Sequence, residues 1–307
     1  MTATVSSVLT EAAAALSKSG HIEPRRRARQ VIGASLGLEP AELLLYADRV
    51  LDGPQVEQLR SHTERLAAGE PLSRILSRRE FWGLNFDLTA ETLDPRPESE
   101  TVVAAVLARV DRKAPLRLLD LGTGSGCLLL ALLSELHAAF GVGVDLSPSA
   151  AAMAERNAQS LGLAERARFF VADWGSALAE RFDIIVANPP YVTTSALEEL
   201  PLEVSRYDPA LALDGGDDGL RAYRVIATHI SHLMAVFALF ALEVGAGQAS
   251  AVAAILGSHG LSIEAIERDL AGRQRCLVAR WQPNCRMRPK KTLEYATIAS
   301  TVTVKQD

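Results

Sequence analysis

A chain of 307 residues exceeds one small domain and suits a large α/β domain with a smaller companion. Its 48% hydrophobic content supplies ample core, and a formal net charge of -5 lacks the basic footprint of a nucleic-acid binder, which favours a protein or small-molecule substrate. The 3 cysteines, Cys127, Cys276 and Cys285, have no metal-ligand spacing, so no structural metal is expected and they read as reduced thiols of a cytoplasmic protein.

The opening MTATVSSVLTEAAAALSKSG lacks the early positive charge and apolar core of a secretory signal, so export is not expected. Through about residue 70 the pattern is helical. Val8, Leu9, Ala12, Ala13 and Leu16 recur at three- and four-residue spacing, and Pro24, Pro40 and Pro54 mark helix starts. Residues 71–95 follow as a β-hairpin linker, with short alternating runs of Ile75, Phe81, Trp82, Leu84, Phe86 and Leu88 interrupted by Gly83.

After DPRPESE, the apolar runs LRLLDLG, VGVDL, ARFFVAD, DIIVANPP and ALFALEVG alternate with helical segments over 96–283. That alternation predicts a doubly wound, mostly parallel sheet covered by helices, with ligands at the carboxyl ends of its strands. LMAVFALFALEV is shorter than the roughly 18 to 20 residues of a membrane span and reads as a helix end and a strand; no membrane partner is expected. Residues 284–307 change composition and read as an edge or loosely ordered tail.

Four strand ends carry the candidate chemistry. LDLGTGSGC places Gly122, Thr123, Gly124, Ser125 and Gly126 between a strand and a helix start, where glycines admit a sharp turn and close ligand approach. The spacing is G-x-G-x-G after an acid, Asp120, and fits S-adenosylmethionine better than a nicotinamide dinucleotide. Asp145 ends the next strand about 20 residues later, where a carboxylate can take both ribose hydroxyls. The pair Ser147-Pro148 already provides a helix cap, which leaves Asp145 available. Asp173 and Trp174 follow the third strand as an acid and a flat ring for adenine, or as a turn residue and a core filler.

Asn188, Pro189, Pro190 and Tyr191 end the fourth strand. Two prolines stiffen the turn, so the Asn188 side-chain oxygen and the Pro189 carbonyl can accept both N–H bonds of a planar amide or amino group, with Tyr191 against its face. An amide nitrogen is a poor nucleophile because its lone pair is delocalised. Positioning and acceptors that strengthen as the nitrogen becomes cationic answer that need without a metal or a nucleophilic side chain.

In order along the chain, GEPLSRIL with REFWG, DPRPESE, LDLGTGSG, VDLSPSA, ERNA, DW, NPPY, RYDPALALDGGDDGL and LEVGAGQ make residues from about Pro24 to Trp281 resemble the peptide chain release factor glutamine methyltransferases, PrmC or HemK. NPPY alone is shared by amino-methylating enzymes of several substrate classes; the full order is specific. The resemblance implies a Rossmann-like domain with a seven-stranded sheet, a helical substrate-docking domain at 1–70, and methylation of the glutamine in the Gly-Gly-Gln motif of class I release factors. It implies that Gly122 to Gly126 and Asp145 hold the methionine and ribose parts of the cofactor, that Trp174 flanks adenine, and that Asn188 to Tyr191 clamp the glutamine with Asn188 near the methyl donor. A monomer without direct nucleic-acid contact is the expectation; another protein glutamine or an exocyclic amino group of a base are the alternatives. The sequence departs from the family pattern at Arg27 and Arg29, where acids are frequent, at MAVFA, where a Pro-Gly-Gly turn is usual, and in the tail.

Overall fold

The computed structural model describes residues 3–176 and 178–281; the tail at 284–307 and Cys285 lie outside the described residues. The chain divides into two compact units, one running to Arg78 and including Pro201–Tyr207, the other formed by Arg79–Leu200 and the chain from Asp208 onward.

The first unit is helical: α1 (Val5–Lys18), α2 (Pro24–Leu36), α3 (Pro40–Leu45), α4 (Gly53–Ala67) and α5 (Leu72–Leu76). A capping box starts α1, where the Thr4 hydroxyl accepts from the Ser7 backbone and Ser7 answers to Thr4. Val5, Val8, Ala12 and Leu16 then bury one stripe of the helix, and they pack with Val31, Ile32, Leu43 and Leu59 in a single core. Pro24 and Pro40 are first residues of their helices, where a missing N–H costs nothing, and Pro54 is one residue further in.

The hairpin is shorter than the sequence suggests. Residues 72–76 are helical, and the two-stranded ribbon is β1 (Arg78–Phe81) and β2 (Leu84–Asp87), turned at Trp82 and Gly83, both at positive φ. Phe81 and Phe86 meet edge to face and are fully buried in the core of the second unit.

That unit continues with α6 (Glu100–Leu107), β3 (Arg117–Leu121), α7 (Cys127–Glu135), β4 (Phe140–Asp145), α8 (Pro148–Ser160), β5 (Ala167–Val171) and β6 (Phe182–Ala187). After α9 (Leu202–Ser205), which belongs to the first unit, come α10 (Arg221–Leu233), β7 (Met234–Glu243), α11 (Ala249–Ser258), β8 (Leu261–Arg268) and β9 (Gln274–Trp281). The seven strands lie in the order β5-β4-β3-β6-β7-β9-β8; β5 to β7 are parallel, and β9 runs antiparallel between β7 and β8. Helices cover both faces. One apolar cluster holds α6 and α7, the other α10 and α11.

Strand register sets the site. Leu121 pairs with Val144 on one side and Ala187 on the other, and Ala187 pairs with Leu242. The next residues, Gly122, Asp145, Asn188 and Glu243, therefore stand at one level across the carboxyl ends of four parallel strands. The order reverses between β3 and β6, so this row straddles the switch point where open α/β sheets take ligands.

LMAVFALFALEV forms the end of α10 and all of β7. Pairing with β6 starts at Met234, breaks, and resumes at Leu239; within the break Phe237 is exposed and adopts φ 66°, a left-handed conformation that favours glycine. Where the family pattern has a glycine turn, this chain makes a bulge with a strained aromatic. Among the described residues no helix is long and apolar enough to cross a membrane.

Candidate active site

The strand ends open onto a cavity of 460 Å³ in the second unit. Of the residues singled out in the sequence, Gly122, Thr123, Gly124, Ser125, Asp145, Asp173, Trp174, Asn188 and Pro190 line it; Gly126, Pro189 and Tyr191 do not. Such a volume falls in the range typical of small-molecule sites.

Its β3 side is a glycine turn in the left-handed region. Gly122 and Gly124 have φ of 72° and 56°, and the Gly122 and Thr123 amides both donate to the Val144 carbonyl at 2.9 Å. Gly126 serves another purpose. At φ 83° it precedes α7, and a Cβ there would sit 3.1 Å from the Ala154 Cβ on α8. Its smallness admits the packing of α7 against α8. Asn157, fully buried on α8, closes the same turn by donating to the Ser125 carbonyl at 2.9 Å and pairing with both backbone groups of Asp87.

Asp145 is less free than its sequence context suggests. Ser147 does cap α8, accepting from Ala150, but each Asp145 oxygen also accepts one backbone N–H, from Gly124 at 2.8 Å and Ser147 at 2.9 Å. Each oxygen keeps one acceptor site. Burial raises the Asp145 pKa above the ordinary carboxylate range, while those backbone donors oppose the shift. Trp174, at φ 50°, lays its six-membered ring against Gly122, 3.4 Å from the position of an added Cβ. Asp173 is exposed at the rim.

Asp120 forms the floor. It is buried, and one oxygen accepts from the Thr123 hydroxyl at 2.7 Å. The other oxygen has no hydrogen-bond partner among the described residues, and neither has the Ser125 hydroxyl, which is also buried and lines the cavity. Burial, reinforced by the nearby Asp145 charge and opposed by Thr123, pushes the Asp120 pKa up to about 7. An unpaired carboxylate oxygen and an unpaired hydroxyl on the floor, with acceptors at Asp145 and a flat ring at Trp174, fit a cationic ligand that carries hydroxyls and a planar base. S-adenosylmethionine has that donor set.

The β6 side is a polar network whose connections no sequence pattern announces. Asn188 donates from Nδ2 to the Ser99 Oγ at 3.1 Å, Ser99 donates to Glu243 Oε2 at 2.5 Å, and Tyr191 donates from its hydroxyl to Glu243 Oε1 at 3.1 Å. Ser99 and Glu243 are buried. Burial raises the Glu243 pKa, countered by the Ser99 bond, the charge of Arg275 and the Tyr191 bond. Burial and the Glu243 charge also push the Tyr191 phenol upward, so it stays a donor. The sequence pattern offers the Tyr191 ring to the substrate; its hydroxyl instead turns inward.

The backbone of the NPPY turn is held as tightly. Gln248 Nε2 donates to the Tyr191 carbonyl at 3.0 Å, and Val192 exchanges backbone bonds with Leu213 and Gly215. A Cβ on Gly219 would stand 2.4 Å from the Tyr191 carbonyl oxygen, so only glycine lets the 215–219 turn lie this close. Asp208 anchors the start of that segment through an ion pair with Arg96 and a bond from the Asp94 amide. Glu243 has a visible signal, an acid closing an otherwise apolar strand. Ser99, Asn157 and Gln248 lie in motifs that mark the family resemblance without suggesting a role.

Two family models match the chain: a PrmC N-terminal domain at residues 7–76 and a methyltransferase small domain at 101–202. Release factor glutamine methyltransferase of Rhodospirillum rubrum is 47% identical over 265 residues, covering 86% of this chain and 81% of that protein. The enzyme of the same name from Bradyrhizobium diazoefficiens is 44% identical, covering 83% and 88%. Among solved structures, the catalytic domain of human Mettl16, crystallised with the MAT2A 3'UTR hairpin 6, aligns with a TM-score of 0.53 at 15% identity, over 76% of this chain and 84% of that one. A methyltransferase from Pyrococcus furiosus aligns at 0.50 and 13%, over 73% and 99%. At such identities these two show a shared fold alone.

Proposed function

The chain belongs to the release factor glutamine methyltransferases, and from that premise we propose that it transfers the methyl group of S-adenosylmethionine to the side-chain amide nitrogen of the glutamine in the Gly-Gly-Gln motif of class I peptide chain release factors. One observation supports the reading above the others. Asn188 and Pro190 line the same cavity as Gly122, Asp145, Asp173 and Trp174, so an amide clamp and a nucleoside pocket share one space.

The bound cofactor supplies an electrophilic methyl on a sulfonium. Asp145 would accept from the ribose hydroxyls, Trp174 and Asp173 would hold the base, and the turn from Gly122 to Ser125 and Asp120 would hold the methionine part. The Asn188 side-chain oxygen and the Pro189 carbonyl accept the two N–H bonds of the substrate amide, and Pro190 and Tyr191 keep that turn rigid. As the nitrogen gains the methyl it becomes cationic, and both acceptor bonds strengthen, so the clamp favours the transition state over the ground state. The extra proton on the nitrogen passes to solvent water after transfer. The helices of residues 1–70 dock the release factor, residues 71–95 link them to the catalytic domain at 96–283, and the protein works as a cytoplasmic monomer without direct nucleic-acid contact.

Incubation with labelled S-adenosylmethionine and purified release factor, ribosomes or DNA tests the reading. Label is expected on the glutamine of the release factor. Label on ribosomal protein or on DNA, with none on the release factor, overturns it.

A further inference from the structure

An amide side chain can face its substrate with either end, and the two ends have opposite hydrogen-bonding character. Only the oxygen can hold an N–H₂ group, so the orientation of Asn188 decides whether the clamp works. Nothing in NPPY itself makes that choice.

We infer that Glu243 and Ser99 are positioning residues that impose the polarity of the Asn188 amide. The inference rests on the proposed function for what the exposed oxygen is for, and on the hydrogen-bond chain for how it is exposed. Glu243 ends β7 and is buried, and its two oxygens take the Tyr191 and Ser99 hydroxyls. Arg275 and the two hydroxyl bonds oppose the effect of burial and favour the carboxylate, and a carboxylate only accepts, so Ser99 gives its single proton to Glu243. The Ser99 oxygen can then act only as an acceptor toward Asn188. It sits 3.1 Å from Nδ2, and that contact turns Oδ1 away from Ser99. Reversing Asn188 would set two oxygens against each other with no proton between them. The acid thus sets a direction of donation that runs inward from the cavity, through Asn188 and Ser99, to Glu243. Because Asn188 and Glu243 leave neighbouring parallel strands at the same level, the relay is short and needs no moving part.

The site makes this arrangement costly enough to require a purpose. Glu243 is 1% exposed, and a charge so placed is tolerated only with hydrogen bonds and an opposite charge, here Arg275, itself paired with Asp269. An apolar residue would pack this strand end without that cost, but would leave the Ser99 proton undirected.

Ser99→Ala and Glu243→Gln test the relay against the wild type. In single-turnover methylation at saturating cofactor and release factor, Ser99→Ala is expected to lose about 10²-fold in rate, as misplacement of a reacting partner does, with cofactor affinity unchanged. Ser99→Thr keeps the hydroxyl and is expected to recover most of that loss. Glu243→Gln keeps the shape but brings an N–H₂ group, which either donates to Ser99 and inverts Asn188 or faces the Tyr191 hydroxyl proton and leaves a donor unpaired; its rate falls as well. The Asn188 side-chain amide resonance, assigned by its loss in Asn188→Asp, is expected to be exchange-protected in the wild type and unprotected in Ser99→Ala. A purely packing role for Ser99 would not move that resonance. Wild-type turnover in Ser99→Ala, an unmoved Asn188 resonance, or a Ser99→Thr variant that binds cofactor normally and is as slow as Ser99→Ala each overturns the proposal. If the wild type fails to methylate release factor, the functional reading falls while the resonance still decides the relay.

Discussion

The two halves of the cavity are built by different means. On the β3 and β4 side, Asp120, Thr123, Gly124 and Asp145 are joined by bonds that span at most 21 residues, and Asn157 closes the same turn from 32 residues away. On the β6 and β7 side, Asn188 reaches Ser99 across 89 residues, and Ser99 reaches Glu243 across 144. The contrast shows that the β3 and β4 half rests mainly on bonds of short sequence span, whereas the β6 and β7 half exists only once the sheet has brought distant strand ends together. Substitutions should respect that division.

The largest expected effect lies in the β6 and β7 half. Asn188→Ala removes an acceptor for the substrate amide, and turnover should fall about 10²- to 10³-fold with little change in cofactor affinity. Single-turnover kinetics at saturating substrates separates this from weaker binding. Near-normal turnover would sink the clamp and with it the distinction between the halves.

In the other half, Asp145→Ala should weaken cofactor binding by about 1.5 to 3 kcal/mol while sparing turnover at saturation, because charge-assisted bonds to ribose are lost. Titration calorimetry measures it. Because Asp145 also holds the Gly124 amide, Asp145→Asn, which retains an acceptor for that bond, should lose less.

Asp120 gives the same half a pH dependence. Its folded pKa of about 7 lies above the ordinary value of 3.8, so without ligand its contribution to stability falls as pH rises from about 4 to about 7. A cationic ligand favours the carboxylate and reverses that preference. Cofactor affinity should therefore weaken as pH drops below about 7, approaching tenfold per unit, with proton release on binding near neutrality. Calorimetry in buffers of different ionisation enthalpy detects those protons, and Asp120→Asn should flatten the profile. A profile unchanged by that substitution assigns the titration elsewhere.

The smallest effect should come from outside both halves. Phe237 is exposed at φ 66°, and Phe237→Gly should relieve left-handed strain of about 1–2 kcal/mol against a backbone entropy cost of about 0.5–1 kcal/mol. Thermal denaturation should show a slight gain with turnover unchanged. A loss would mean that the aromatic ring contributes packing that outweighs its strain.

Legibility in the sequence follows the same division. Alternating apolar runs, G-x-G-x-G and an acid at the following strand end are short-range patterns, and they point to the sheet and to residues that line the β3 and β4 side of the cavity. Gly126 is harder to read, because a glycine that admits a ligand and one that admits a helix look alike in sequence; only the structure shows the Ala154 methyl packed against it. NPPY is legible as a rigid turn, but the inward direction of the Tyr191 hydroxyl depends on Glu243, which is 52 residues away. Residues 72–76 pass for part of the hairpin because their apolar spacing is too short to distinguish one helical turn from a strand.

The shared level of Gly122, Asp145, Asn188 and Glu243 makes enzymatic activity a gauge of folding fidelity. A slip of one residue in any parallel pairing would send the slipped strand's side chain, Asp145, Asn188 or Glu243, to the opposite face while leaving a compact chain. Parallel pairings close long loops and form slowly. During refolding, methyl transfer should therefore return later than helical circular dichroism, and its recovery would report strand alignment rather than collapse.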